Sequence, residues 1–303
     1  MKSPRLILCA TDLRAGGDRA VVEADAWARR HDASLAFVHA IPDPSRMHVL
    51  FPQFAHKAFT ELPELSRRLA DAVAERVTKL TVRASAELDI RVDVGSPAAV
   101  IVAVAEEMGA DLVVVGAGGE DTSIGLLGSV ALRVVQHAHS PVLLVRPGPE
   151  RGPVLVASDL SDPGFPAIAA GAFLASAVGE DLTVLHVAEL PTVPLPSPDG
   201  AGLGLSYGLS ASDLLSLREA ARDSLVSAMT RLGLKGQCLV EQGIPSVQVV
   251  GCARRLGARL LVIGTEGRTG LRRMLLGSTA EQILRDASCP VMVVRLHSQG
   301  GHP

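Results

Sequence analysis

A chain of 303 residues has room for about two domains of roughly 150 residues each, and with 48% apolar residues each half can bury a sizeable core. The net charge of −3 comes from 29 basic and 32 acidic residues with no basic stripe or acidic run, which argues against electrostatic binding of nucleic acid. Aromatic residues make up only 3%, leaving few platforms for stacking exposed bases.

The chain opens on PRLILCATDL, whose apolar run Leu6 to Ala10 stops at Asp12. That run is too short for a signal-peptide core, and no stretch approaches the ~18 apolar residues of a membrane span. Cys9, Cys238, Cys252 and Cys289 are scattered without a C-x-x-C pair, the pattern of buried free thiols in a reducing compartment. A cytoplasmic protein without membrane contact is expected. Short, continuous apolar runs predict strands near 5–11, 34–40, 110–115 and 142–146. Strands covered on both faces of a parallel sheet read this way. Residues 90–94 (IRVDV) alternate instead and predict an edge strand. Apolar residues at three- and four-residue spacing predict core-facing helices over 61–86 and 97–109. Alternating strands and helices imply a doubly wound α/β fold with right-handed crossovers.

The same landmarks then return. Asp159 in GPVLVASDL follows Asp12 by 147 residues, and His186 in LTVLHV follows His39 in LAFVHA by 147. Gly243-Ile-Pro follows Gly95-Ser-Pro by 148, and Gly264 follows Gly116 by 148. Gly277 of LLGSTA follows Gly128 of LLGSVA by 149, and CPVMVVR keeps that spacing from SPVLLVR. An offset that drifts by two residues over six landmarks marks a duplicated domain. The Pro/Gly-rich stretch Arg146 to Pro153 links the copies. The expected division is 1–147 and 152–296, with 297–303 a disordered tail. The second copy differs mainly in a loop from Pro191 to Gly208, rich in Pro, Gly and Ser and expected to be mobile.

In a doubly wound sheet, ligands sit beyond the carboxyl ends of strands where the strand order reverses. The second copy there reads G-x2-G-x9-G-S from Gly264 through Gly267 to Gly277 and Ser278. Glycines let a polyphosphate approach the backbone, and a helix start offers unpaired N–H donors and a positive dipole end. Two bland readings compete: Ser278 with Glu281 three residues later forms a capping box, and Gly267 and Gly270 only shape a tight loop.

On these residues the whole chain resembles the universal stress protein family in its tandem-domain form. ILCATDL, FVHA, the Gly-x-Pro, VVVG, LLGS and PVLLV are the shared landmarks, and both copies carry the set. The resemblance implies two Rossmann-like domains, each a five-stranded parallel sheet of order 3-2-1-4-5 with helices on both faces. The G-x2-G-x9-G-S run is similar to that of the family's ATP-binding branch. It implies ATP as ligand, with AMP or ADP as alternatives and Mg²⁺ as companion ion. Asp159 would then lie near the nucleoside and the backbone of Val187 at the adenine edge. Gly264, Gly267, Gly277, Ser278 and Thr279 would wrap ribose and phosphates, with Arg268 supplying charge. A turn aspartate, an ordinary strand residue and, for His186, a packed histidine are the alternatives.

The first copy departs from that pattern. Only eight residues separate Gly119 from Gly128, and Glu120 and Asp121 replace Arg268 and Thr269. Two carboxylates beside a triphosphate need a screening cation. Asp12, Ala40, Gly116, Gly119, Gly128 and Ser129 therefore form a weaker candidate site. The resemblance further implies an intramolecular pseudo-dimer along the last strands, with homodimers and an unknown protein partner as further assemblies.

Three other signals lose on context. Gly204-Leu-Ser206-Tyr-Gly208 matches the G-x-S-x-G nucleophile elbow but is not preceded by a strand-forming run. No G-x4-G-K-[ST] occurs, which excludes a P-loop. His137 and His139 lie at a helix end without a third metal ligand nearby. An ATP-binding regulatory module in stress response is the expected function. A nucleotide-independent interaction protein and a slow adenine-nucleotide hydrolase are the alternatives. Catalysis is expected to be weak because only Arg268, Arg272 and Arg273 offer charge and Glu266 has no evident partner for orienting water.

Overall fold

The computed structural model describes residues 2–43, 52–118, 127–161, 165–189, 192–194, 204–206, 210–265 and 276–295. The first copy runs β1 (Leu6–Ala10), α1 (Ala15–His31), β2 (Ser34–Ile41), α2 (Pro52–Leu80), β3 (Asp89–Val94), α3 (Pro97–Met108), β4 (Leu112–Gly116), α4 (Ser129–His137) and β5 (Val142–Val145). The second runs β6 (Val154–Ala157), α5 (Phe165–Val178), β7 (Leu182–Ala188), β8 (Thr192–Pro194), β9 (Gly204–Ser206), α6 (Ala211–Arg231), β10 (Gln237–Gln242), α7 (Pro245–Leu256), β11 (Leu260–Gly264), α8 (Ser278–Asp286) and β12 (Val291–Val294).

Both copies join one ten-stranded sheet ordered β10-β7-β6-β11-β12-β5-β4-β1-β2-β3. Within each half the strands are parallel and read 3-2-1-4-5. At the centre β12 and β5 pair antiparallel, with Val291 opposite Leu144 and Val293 opposite Val142. The six residues of this joint are at most 1% exposed, so the apolar edge strand of each half is covered by the other. The outermost strands are β3 and β10; β3 has the half-exposed pattern that its alternation predicts.

One apolar cluster places α3, α4, α7 and α8 on one face of the sheet, and a second places α1, α2, α5 and α6 on the other. Strands buried on both faces explain the continuous apolar runs. The helices α3 and α7 begin on Pro97 and Pro245, where a missing N–H costs nothing. They end on Gly109 and Gly257 at φ 64° and 58°, the left-handed cap that glycine adopts without strain.

Two arginines fasten the halves together. Arg146, directly after β5, is 7% exposed and donates to the carbonyls of Leu284 (2.6 Å) and Ala287, in the last turn and cap of α8. Arg295, its counterpart after β12, donates to the carbonyls of Val135 (2.6 Å) and Gln136 in the last turn of α4. Each guanidinium thus satisfies helix-end carbonyls of the opposite copy and sits at the negative end of its dipole.

Three expectations need correction. The long helix spans Pro52–Leu80 rather than 61–86, running through Pro63 and stopping where Thr81 turns its hydroxyl to the N–H of Arg83. The loop from Pro191 to Gly208 contains a two-stranded antiparallel ribbon, β8 with β9. Of the four thiols, Cys238 is only half-buried. The expected tail, 297–303, lies outside the described residues.

Candidate functional site

Strand β6 lies between β7 and β11, and the chain leaves β6 and β11 toward opposite faces, into α5 and α8. The crevice between those two departures is where a ligand fits a doubly wound sheet.

The turn after β6 is tightly specified. Ser158 Oγ accepts from the Leu160 N–H (3.2 Å), and Asp159 Oδ1 accepts from the N–H (3.1 Å) and hydroxyl (2.6 Å) of Ser161. Leu160 sits at φ 60°, and its first-copy counterpart Leu13 at φ 61°. A left-handed leucine costs roughly 1–2 kcal/mol. Both leucines pack on the apolar cluster beneath, which offsets that strain. The first copy repeats the turn, with Leu13 N–H on Thr11 Oγ1 (3.1 Å) and Arg14 N–H on Asp12 Oδ1 (3.0 Å). This Thr/Ser-Asp-Leu turn was readable only as a repeated tripeptide; its strained leucine has no sequence signature. Asp159 differs from Asp12 in one respect. Its Oδ2 is buried and has no hydrogen-bond partner among the described residues, whereas Asp12 is exposed.

Val187 presents backbone rather than side chain. The Ser158 N–H donates to the Leu185 carbonyl (3.0 Å), so Leu185 faces β6. Alternation along the strand turns His186 toward β10 and Val187 back toward β6, beyond its last residue Ala157. The N–H and C=O of Val187 therefore open on the crevice. Ala40 stands likewise two residues past Val38, which accepts from Thr11 N–H (3.0 Å). Both histidines are packed: His186 Nδ1 is 2.9 Å from the Ser158 carbonyl, and His39 Nδ1 is 2.9 Å from the Thr11 carbonyl.

Across the crevice, Gly264 ends β11 and Gly277 caps α8. The Gly277 N–H donates to the Thr265 carbonyl (3.3 Å), drawing the two ends of the loop together. Gly277 has φ −61°, open to any residue, and the nearest atom to an added Cβ would be Thr265 O at 3.7 Å. Neither its conformation nor packing against the described residues demands a glycine there. The expected capping box is absent. The cap is Gly277, with no side-chain cap bond, and Glu281 instead receives the Arg285 guanidinium (2.6 Å). Ser278 is the first helical residue and Ser278 and Thr279 are exposed, so their N–H groups and hydroxyls face outward at the positive end of the helix. Gly267 and Arg268 lie outside the described residues.

In the first copy Gly16 and Gly116 answer to the protein itself. A Cβ on Gly16 would lie 2.4 Å from the Gly118 carbonyl oxygen, and one on Gly116 would lie 2.5 Å from that of Gly16. Backbone of the first turn thus occupies the position against Gly116. Gly128 caps α4 at φ −65°, with Ala117 O 3.4 Å from an added Cβ, and Ser129 follows it exposed. Gly119 lies outside the described residues. His139 pairs with Glu106 (2.6 Å), and no group of three metal-ligating side chains occurs among the described residues.

The profile of the universal stress protein family matches twice, over residues 4–146 and 150–295. The chain belongs to the universal stress protein family. Within that family, universal stress protein Rv2623 of Mycobacterium tuberculosis H37Rv is 30% identical over 290 residues, covering 89% of this chain and 90% of that protein. Universal stress protein Rv2005c of the same strain is 30% identical over 235 residues, 74% of this chain and 75% of its own. The crystal structure of a universal stress protein from Archaeoglobus fulgidus DSM 4304 shares the fold, at TM-score 0.61 and 21% identity over 97% of this chain and 99% of that one. No described helix is long and apolar enough to cross a membrane.

Proposed function

We propose that this universal stress protein binds ATP in the crevice of its second half and acts as a nucleotide-responsive regulatory module. The observation that carries the reading is Gly277, a helix-capping glycine that neither its φ nor its packing against the described residues requires, at the start of α8. A missing Cβ at a helix N-terminus leaves the space and the donors that a phosphate needs. Opposite it, Asp159 Oδ2, without a hydrogen-bond partner among the described residues, suits a ribose hydroxyl or another neutral donor, and the Val187 peptide suits the donor–acceptor edge of adenine. Ser278 and Thr279 add hydroxyl donors, and Gly264 gives the phosphates room at the strand end.

The first half is the weaker site. Its Gly116 is spaced for the protein's own backbone, and its Asp12 is exposed rather than held with an oxygen awaiting a donor. Mg²⁺ would act there as the cation that Glu120 and Asp121 call for. Calorimetric titration of the full chain with ATP, ADP and AMP, with and without Mg²⁺, tests the reading. One tight site per chain is the expected result, and no heat with any of the three would refute it.

A further inference from the structure

His186 lies outside the set of groups that would touch a nucleotide, yet it holds the one that would. Ser158 is 8% exposed, and it stands one residue past Ala157, the last residue of β6 in the ladder with β7, the side to which its own N–H points. Its carbonyl has lost its ladder partner at the point where the chain turns out of the sheet. A buried carbonyl left there without a donor would be free to rotate away toward water. The His186 ring supplies that donor, with Nδ1 at 2.9 Å from an oxygen that can only accept. The peptide so fixed is the one joining Ser158 to Asp159. Its plane sets the direction in which the Asp159 carboxylate leaves the chain. The first copy builds the same clamp from His39 and Thr11, also at 2.9 Å.

We infer that His186 is a positioning residue for nucleoside recognition in the second half: its Nδ1–H locks the Ser158–Asp159 peptide and so aims the Asp159 carboxylate into the crevice. The inference rests on the ATP-binding reading and deepens it. It predicts a division of labour. Phosphates would be held by Gly277, Ser278 and Thr279 at α8, and the nucleoside by a carboxylate whose aim depends on a ring that touches no ligand.

The full chain separates these contributions when titrated with ATP and with inorganic tripolyphosphate, which lacks the nucleoside. His186→Phe keeps the bulk and removes the donor. It should weaken ATP at least tenfold while leaving tripolyphosphate within about twofold. His186→Asn places an amide N–H near the position of Nδ1 and should restore most of the ATP affinity. Unchanged ATP affinity in His186→Phe would overturn the inference. So would an equal loss for both ligands, or a failure of His186→Asn to rescue, since either marks a general loss of structure. An unmodified chain that binds tripolyphosphate but not ATP would overturn the nucleoside half of the reading and this inference with it. A chain that binds neither would overturn the proposed function itself.

Discussion

His31 sits where the two halves meet, its ring 5.4 Å from that of Trp27 in its own helix and 5.5 Å from that of Phe173 in α5 of the other copy. Its Nε2 is buried with no hydrogen-bond partner among the described residues, and burial first, then the charge of Arg30, lowers its pKa from the ordinary value of 6.5. The folded protein thus resists a proton that the unfolded chain accepts. Stability from this residue is intact above pH 6.5 and declines as pH falls below that value toward the lower folded-state pKa. His31→Phe keeps the ring contacts and abolishes the titration. Its urea midpoint should fall less than that of the unmodified chain between pH 7.5 and 5.5; equal declines would show that His31 does not titrate across this window. Residues of this kind are invisible in the sequence, because a contact between positions 31 and 173 exists only once both copies are folded and docked.

At the scale of elements, the Arg146 clamp makes a separate prediction. Arg146→Ala removes donors from the carbonyls of Leu284 and Ala287 at the end of α8. Each acceptor so orphaned costs about 1–3 kcal/mol, so for the two a loss of roughly 2–6 kcal/mol in denaturant unfolding is expected. Arg146→Lys should recover little of it, since one ammonium cannot span two carbonyls as the guanidinium fork does. Full stability in Arg146→Lys would contradict the clamp. Most elements were legible beforehand for a physical reason: β1, β2, β4 and β5 are buried on both faces, so their apolar runs are unbroken. The start of α2 was not: apolar spacing places it at 61, whereas the helix begins at Pro52 and carries Pro63 inside it. The Ser278–Glu281 spacing suited a capping box equally well, and only tertiary placement gives the cap to Gly277 and the carboxylate of Glu281 to Arg285. Asp159 and Gly277 were legible as site candidates through the family resemblance and the glycine motif; Leu160 recurs with Leu13 in the repeated tripeptide, but neither its left-handed conformation nor the role of Ser158 in the turn has a sequence signature.

At the scale of the molecule, the duplication produces a single sheet rather than two tethered lobes, since the edge each half would expose is buried against the other. Leu143→Lys, placing a charge at a fully buried position of that joint, should part the halves and raise the radius of gyration in small-angle scattering; an unchanged profile would contradict the role given to the joint. The halves then differ in what their crevices offer. Among the described residues, the second has no atom closer than 3.7 Å to a Cβ added at its capping Gly277, and Asp159 Oδ2 there has no hydrogen-bond partner. In the first, backbone of Gly16 lies against Gly116, while Gly128 at its helix cap has ordinary van der Waals space, with Ala117 O 3.4 Å from an added Cβ. The most direct test of the account is calorimetric titration of ATP into three full-length chains: unmodified, Gly277→Val and Gly128→Val. Valine fits the backbone at 277, where φ is −61° and the nearest described atom to an added Cβ is 3.7 Å away, so loss of binding in a folded protein reads on the ligand. Losing two charge-assisted hydrogen bonds of roughly 1.5–3 kcal/mol each weakens binding by well over tenfold. The account predicts that loss for Gly277→Val and a change within about threefold for Gly128→Val. Undiminished ATP affinity in a folded Gly277→Val protein would contradict it.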